Sequence, residues 1–147
     1  MNDDLGNQVI LDILADDGSL IPYRKMLNKI TGSVLSTILL QQIIFLWKVF
    51  GKKRFYRFAE PCEHEKYEEG KSWCEELGFT RDEFNAAMKR IGFKMGKTKN
   101  KITKDEALVI YYKTSEQITY YELSVDVLLK KLKELKTINK NSPQKAL

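Results

Sequence analysis

The sequence predicts an α+β fold, mainly helical with a small β-hairpin, and three stretches carry the prediction. SVLSTILLQQIIFLWKVFG, beginning at Ser33, has the apolar spacing of one long helix. SWCEELGFTRDEFNAAMKRIG, residues 72–92, reads as two short helices joined by a tight turn. LVIYYKTSEQITYYELS sets two runs of β-branched and aromatic residues on either side of a short polar turn, the pattern of a hairpin.

A chain of 147 residues has room for one hydrophobic core and not comfortably for two. Its most apolar run, 34–50, is interrupted by Ser36, Thr37, Gln41, Gln42 and Lys48, and is shorter than the ~20 residues of a membrane span. Asp3 and Asp4 stand where a secretion signal carries Lys or Arg. Two cysteines without an export signal suit free thiols in a reducing compartment, so the expectation is a soluble cytoplasmic protein with no membrane contact. The net charge of +5 is unevenly spread. Residues 18–59 hold eight bases and no acid, residues 60–83 nine acids and three bases, and residues 85–140 thirteen bases and six acids. Basic blocks of this kind favour a polyanionic partner, although solvated lysine faces give the same pattern.

In chain order, residues 1–19 form an N-terminal segment in which Val9, Ile10, Ile13 and Leu14 suit a short helix or, as VILDIL, a strand. Pro22 is expected to open a short helix with Met26, Leu27 and Ile30 facing inward, ended by Thr31-Gly32. The long helix after Ser33 is apolar nearly all round, which calls for burial on most sides or a shared face. RFYRFA predicts a short strand with alternating arginines, and 59–71 an acidic linker. Cys62, His64 and Cys74 match no zinc module and lack a fourth ligand, so no metal is expected. With one histidine and no Gly-rich phosphate loop, neither an enzyme nor a cofactor is expected.

In the two-helix unit, Ser72 with Glu75 and Thr80 with Glu83 are capping boxes. Gly78 suits a left-handed helix end, and Gly92 is expected to close the second helix. The stretch FKMGKTKNKITKDEA should be a mobile lysine-rich loop. In the hairpin, one ring of each pair Tyr111/Tyr112 and Tyr120/Tyr121 should face inward and one outward. Ser124 caps a last helix with Val125, Leu128, Leu129, Leu132 and Leu135 on one stripe, and the tail from 139 should fray. The divisions are therefore 1–19, a domain over 20–138, and a tail over 139–147.

Helix, helix, short strand, helix, turn, helix and hairpin is the layout of a winged helix-turn-helix domain. LIPYRKMLNKITGSVLSTILLQQIIFLW, RFYRFA, GKSWCEELGFTRDEFNAAMKRIGF and the Tyr-rich hairpin resemble the winged-helix domains of bacteriophage and plasmid replication-initiation or replisome-organiser proteins. The resemblance spans about residues 20–129. It implies a DNA-binding protein of a mobile element, acting in replication or transcription regulation, with helix 80–91 in the major groove and a hairpin loop along the backbone. By position, Arg81, Asn85, Lys89 and Arg90 would face the groove, and Lys97, Lys99, Lys101 and Lys104 in the loop 94–104 would meet phosphates. A homodimer is expected, because one such domain contacts few base pairs. Its surface would be the Leu128/Leu132/Leu135 stripe or the excess apolar face of 34–50. The alternative is a protein-interaction module using the acidic patch 60–76 to engage a host or replication protein.

Overall fold

Gln41 decides how the first helical turn begins. In the computed structural model, which describes residues 6–9 and 21–141, its amide oxygen accepts from the Arg24 N–H at 2.8 Å and its amide nitrogen donates to the Pro22 carbonyl. That pair holds 22–24 out of helical geometry, so helix starts at Lys25 and not at Pro22. A 3₁₀ turn, Lys25–Leu27, leads into α1, Asn28–Thr31, which Gly32 ends at φ 79. Leu27 is buried and Ile30 half-buried as expected, whereas Met26 is exposed. Residues 6–9 are helical; the rest of the helix-or-strand choice for the N-terminal segment falls outside the described residues.

Helix α2, Val34–Val49, is capped by Ser33, whose side chain accepts from the Ser36 N–H. Leu39, Leu40 and Ile43 are fully buried, each worth about 1.5–3 kcal/mol of apolar transfer. Two of the polar interruptions, Ser36 and Thr37, are buried too, and each has a partner. Ser36 donates to the Ala87 carbonyl at 3.0 Å, and Thr37 donates to Asn28 Oδ1 at 2.6 Å while sharing a 2.7 Å contact with Thr31. These hydroxyls tie α2 to α1 and to the helix that carries Ala87.

Strand β1, Phe55–Tyr56, follows, then α3, Trp73–Leu77, and α4, Arg81–Ile91. Strand β2, Gly92–Lys94, precedes β3, Val109–Lys113, β4, Thr119–Leu123, and α5, Val125–Asn141. The result is an α+β fold whose single four-stranded sheet is mixed, in the order β1-β4-β3-β2. β1 with β4 and β4 with β3 are antiparallel, and β2 with β3 is parallel. Tyr111 stacks on Tyr121 on the core side and Tyr112 on Tyr120 on the other, the expected division of each pair. Trp73, fully buried, joins α3 to the sheet through Phe55 and Tyr121.

One expectation is corrected beside α4, while Gly92 closes that helix as expected. The stretch after Gly92 is not simply a loop: Phe93 and Lys94 pair with β3 together with Gly92, and the Met95 N–H extends the pairing to the Tyr111 carbonyl at 2.8 Å. Gly92 itself is extended, at φ −115, so handedness is not why glycine stands there. A Cβ would lie 2.9 Å from Tyr111 Cε1 and 3.1 Å from the Met88 carbonyl, with the Met88 methyl closer still. Space, not conformation, demands glycine at this position.

Helix α5 continues to Asn141, past the break expected at 139, and residues 142–147 fall outside the described part. Leu128 and Leu135 are buried against the chain's own core. Of the two faces expected for pairing, only that of α2 stays open, with Val34, Phe45 and Val49 exposed. No single helix among the described residues is long and apolar enough to cross a membrane.

Candidate nucleic-acid interface

Caps set the direction of both helices in the two-helix unit. Thr80 accepts from the Glu83 N–H while Glu83 accepts from the Thr80 N–H, a complete capping box that starts α4 sharply. At α3 the box is half-made: Ser72 accepts from the Glu75 N–H, but the Glu75 carboxylate turns to Tyr67 Oη (2.5 Å), Ser72 Oγ (2.8 Å) and the Gly70 N–H (3.1 Å). The Tyr67 hydrogen bond, then that of Ser72, holds the Glu75 carboxyl below its usual range, and the same bond raises the Tyr67 phenol. Between the helices, Gly78 takes φ 70, the left-handed end expected there.

Four of the eight expected site residues lie on α4 and divide into two groups along it. At its N-terminal end Arg81 is engaged: Nη1 pairs with Glu60 at 2.9 Å, and Nε donates to Asn85 Oδ1 at 3.3 Å. Both of these groove candidates therefore already spend hydrogen-bonding capacity within the chain. At the C-terminal end Lys89 and Arg90 are exposed, and Arg90 Nη1 lies 3.3 Å from where a Cβ on Gly32 would stand.

Lys97, Lys99, Lys101 and Lys104 are all exposed, in the excursion between β2 and β3. Asn100 organises it, accepting from the Lys94 N–H at 2.9 Å and donating to the carbonyls of Lys94 at 3.2 Å and Lys97 at 3.4 Å. Thr103 then leads a 3₁₀ turn, Lys104–Glu106. The Leu108 N–H returns to the Ile91 carbonyl at 2.9 Å, so the excursion leaves and re-enters at the C-terminal end of α4. That closure begins and ends the lysine-bearing excursion at the helix terminus that carries Lys89 and Arg90, where cations also suit the helix dipole. Asn100, which holds this loop together, was not singled out in the sequence. An asparagine in a lysine-rich run gives no signal of which backbone groups it will bind.

The hairpin tip differs from what the resemblance implies. Its turn, with Gln117 at φ 65, presents Glu116, which pairs with Lys66 at 3.5 Å and whose carbonyl meets His64 Nε2 at 2.8 Å. His64 Nδ1 accepts from the Lys66 N–H at 3.0 Å, and the ring packs on Phe58 at 5.1 Å. The histidine is thus half-buried and pins the 59–71 segment to the hairpin. Cys62 is exposed, and burial raises the Cys74 thiol. Among the described residues no three His, Cys, Asp or Glu side chains are grouped to hold an ion.

Much of the acidic stretch 60–76 is also spent internally. Glu76 receives Arg57 at 2.9 Å and Gln42 at 3.1 Å, Glu60 holds Arg81, Glu68 holds Lys71 at 2.6 Å, and Glu75 is bound as described. Arg57, only 9% exposed, is the strand arginine that turns inward. No family model, curated protein or solved structure matches this chain.

Proposed function

We propose that the chain is a winged helix-turn-helix protein that binds double-stranded DNA without catalysing a reaction, with α4 directed to the major groove. Support for the fold reading comes from the order β1-β4-β3 beside α3 and α4, in which the strand after the long helix pairs with the second strand of the hairpin. The observation that carries the binding reading is the return of Leu108 to Ile91. It ties both ends of the excursion that carries Lys94, Lys97, Lys99, Lys101 and Lys104 to the helix terminus that carries Lys89 and Arg90, with Asp105 and Glu106 the acids of that loop. Seven cations on this helix end and the loop tied to it suit contacts to phosphate, which supply affinity and salt dependence and no base preference.

In this reading the backbone contact belongs to loop 94–104 and not to the hairpin tip, whose Glu116 would repel phosphate. Arg81 and Asn85 read base edges only after Arg81 exchanges Glu60 for DNA, a surface ion pair worth about 0.2–1 kcal/mol. The process served is replication or transcription regulation in a mobile element. A gel-shift titration of the purified chain against a random-sequence duplex at low ionic strength tests the proposal. Retention that disappears on adding salt is expected, and migration unchanged at all protein concentrations contradicts it.

A further inference from the structure

On the side of α2 that carries Phe45 and Val49, a groove of about 730 Å³ opens between the helix and β1. Phe45 and Val49 stand on its helix side, 58% and 60% exposed, and Tyr56 and Phe58 on its strand side. Phe50, stacked on Phe55 at 5.8 Å and 13°, contributes a further aromatic wall. The volume lies within the few hundred to one thousand Å³ typical of small-molecule sites.

Charge chooses the ligand. Arg54, Arg57, Lys66 and Lys71 line the groove against Glu68 and Glu76, an excess of two positive charges. Arg57 is buried, and its Nη1 is held by Glu76 and, at 3.4 Å, by the Lys71 carbonyl, while its Nε has no hydrogen-bond partner. Arg54 sits 5.0 Å over the Tyr120 ring and donates to Tyr112 Oη, with no carboxylate in ion-pair range among the described residues. A buried, incompletely satisfied guanidinium and an unneutralised one lining the same groove favour an anion there. Walls of flat rings favour a flat ring, which also loses little conformational freedom on binding.

We propose that this groove binds a small aromatic carboxylate, with the ring between Phe45 and Tyr56 and the carboxylate toward Arg54. The site uses none of the residues assigned to DNA and stands whether or not the chain binds DNA.

Calorimetric titration of the full chain with 2-naphthoate, and separately with uncharged 2-naphthalenemethanol, tests it. One saturable site for naphthoate is expected, with the alcohol at least fivefold weaker. Val49→Glu, at an exposed position, should weaken naphthoate at least tenfold, and Arg54→Glu several-fold, both with unchanged circular dichroism. Equal binding of the two ligands, no saturable uptake at millimolar naphthoate, or indifference to both substitutions overturns the proposal. So does a dimer in gel filtration that Val49→Glu dissociates without any naphthoate uptake, which would assign the groove to a second copy of the chain.

Discussion

The Leu108 N–H donates to the Ile91 carbonyl at 2.9 Å, and this one bond closes a sixteen-residue excursion onto the end of α4. The lysine loop is thereby tethered at both ends to the helix terminus that carries Lys89 and Arg90.

Arg81 gives the first prediction. Its pairing with Glu60 at 2.9 Å competes with any base contact. Glu60→Gln should tighten duplex binding roughly two- to fivefold, the size of a released surface ion pair. Arg81→Ala should lose about 1–3 kcal/mol of discrimination at one base pair and weaken random-sequence DNA much less. Anisotropy titrations on selected and random duplexes separate the two effects.

Arg57 and Glu76 form the most enclosed ion pair among the described residues, at 9% and 17% side-chain exposure. Removing one partner strands the other charge, so Arg57→Met should cost about 3–5 kcal/mol in urea unfolding. The double variant Arg57→Met with Glu76→Leu should recover most of that loss. A double variant no more stable than Arg57→Met would contradict the pairing.

Gly92 and Gly78 should respond differently to alanine. At Gly92 a methyl meets Tyr111 and the Met88 carbonyl, and overpacking there should cost about 1–3 kcal/mol. At Gly78 the added Cβ has open space, so the cost should be about 1–2 kcal/mol from left-handed geometry alone. A Met88→Ala background should relieve part of the first cost and leave the second unchanged.

Glu75 predicts a pH dependence. Hydrogen bonds from Tyr67 and Ser72 depress its carboxyl in the folded state. It therefore contributes stability that is fully present above the ordinary carboxylate range and is lost as pH falls through the depressed folded value. Thermal unfolding of the wild type should approach that of Glu75→Gln as the solution is acidified. A constant difference between them at every pH would contradict this.

How much of this was legible in the sequence depended on how local the signal was. Ser33, Gly78 and the Thr80/Glu83 box act within four residues, and each does what its spacing implies. The Tyr pairs followed from the two-residue period of a strand. Strand β2 was hidden because Phe93 is its one large apolar residue and its pairing to β3 depends on backbone groups across a long excursion. The Arg57–Glu76 pair joins residues nineteen apart, and a strand of two residues is too short for its alternation to show which arginine turns inward. The candidate site divided in the same way. Exposure of the lysines was readable from composition, whereas the commitment of Arg81 to Glu60 needed the fold to bring the acidic segment against α4.

The central claim is that the lysine loop and the C-terminal end of α4 act together on duplex DNA. Its most direct test is the slope of log binding constant against log salt, measured by anisotropy for the wild type and for a variant with Lys97, Lys99, Lys101 and Lys104 all changed to alanine. Engagement of about five phosphates predicts a wild-type slope near −4 to −5, falling by roughly 3–4 in the variant while circular dichroism stays the same. A wild-type slope near zero, or one that the four substitutions leave unchanged, would contradict the account.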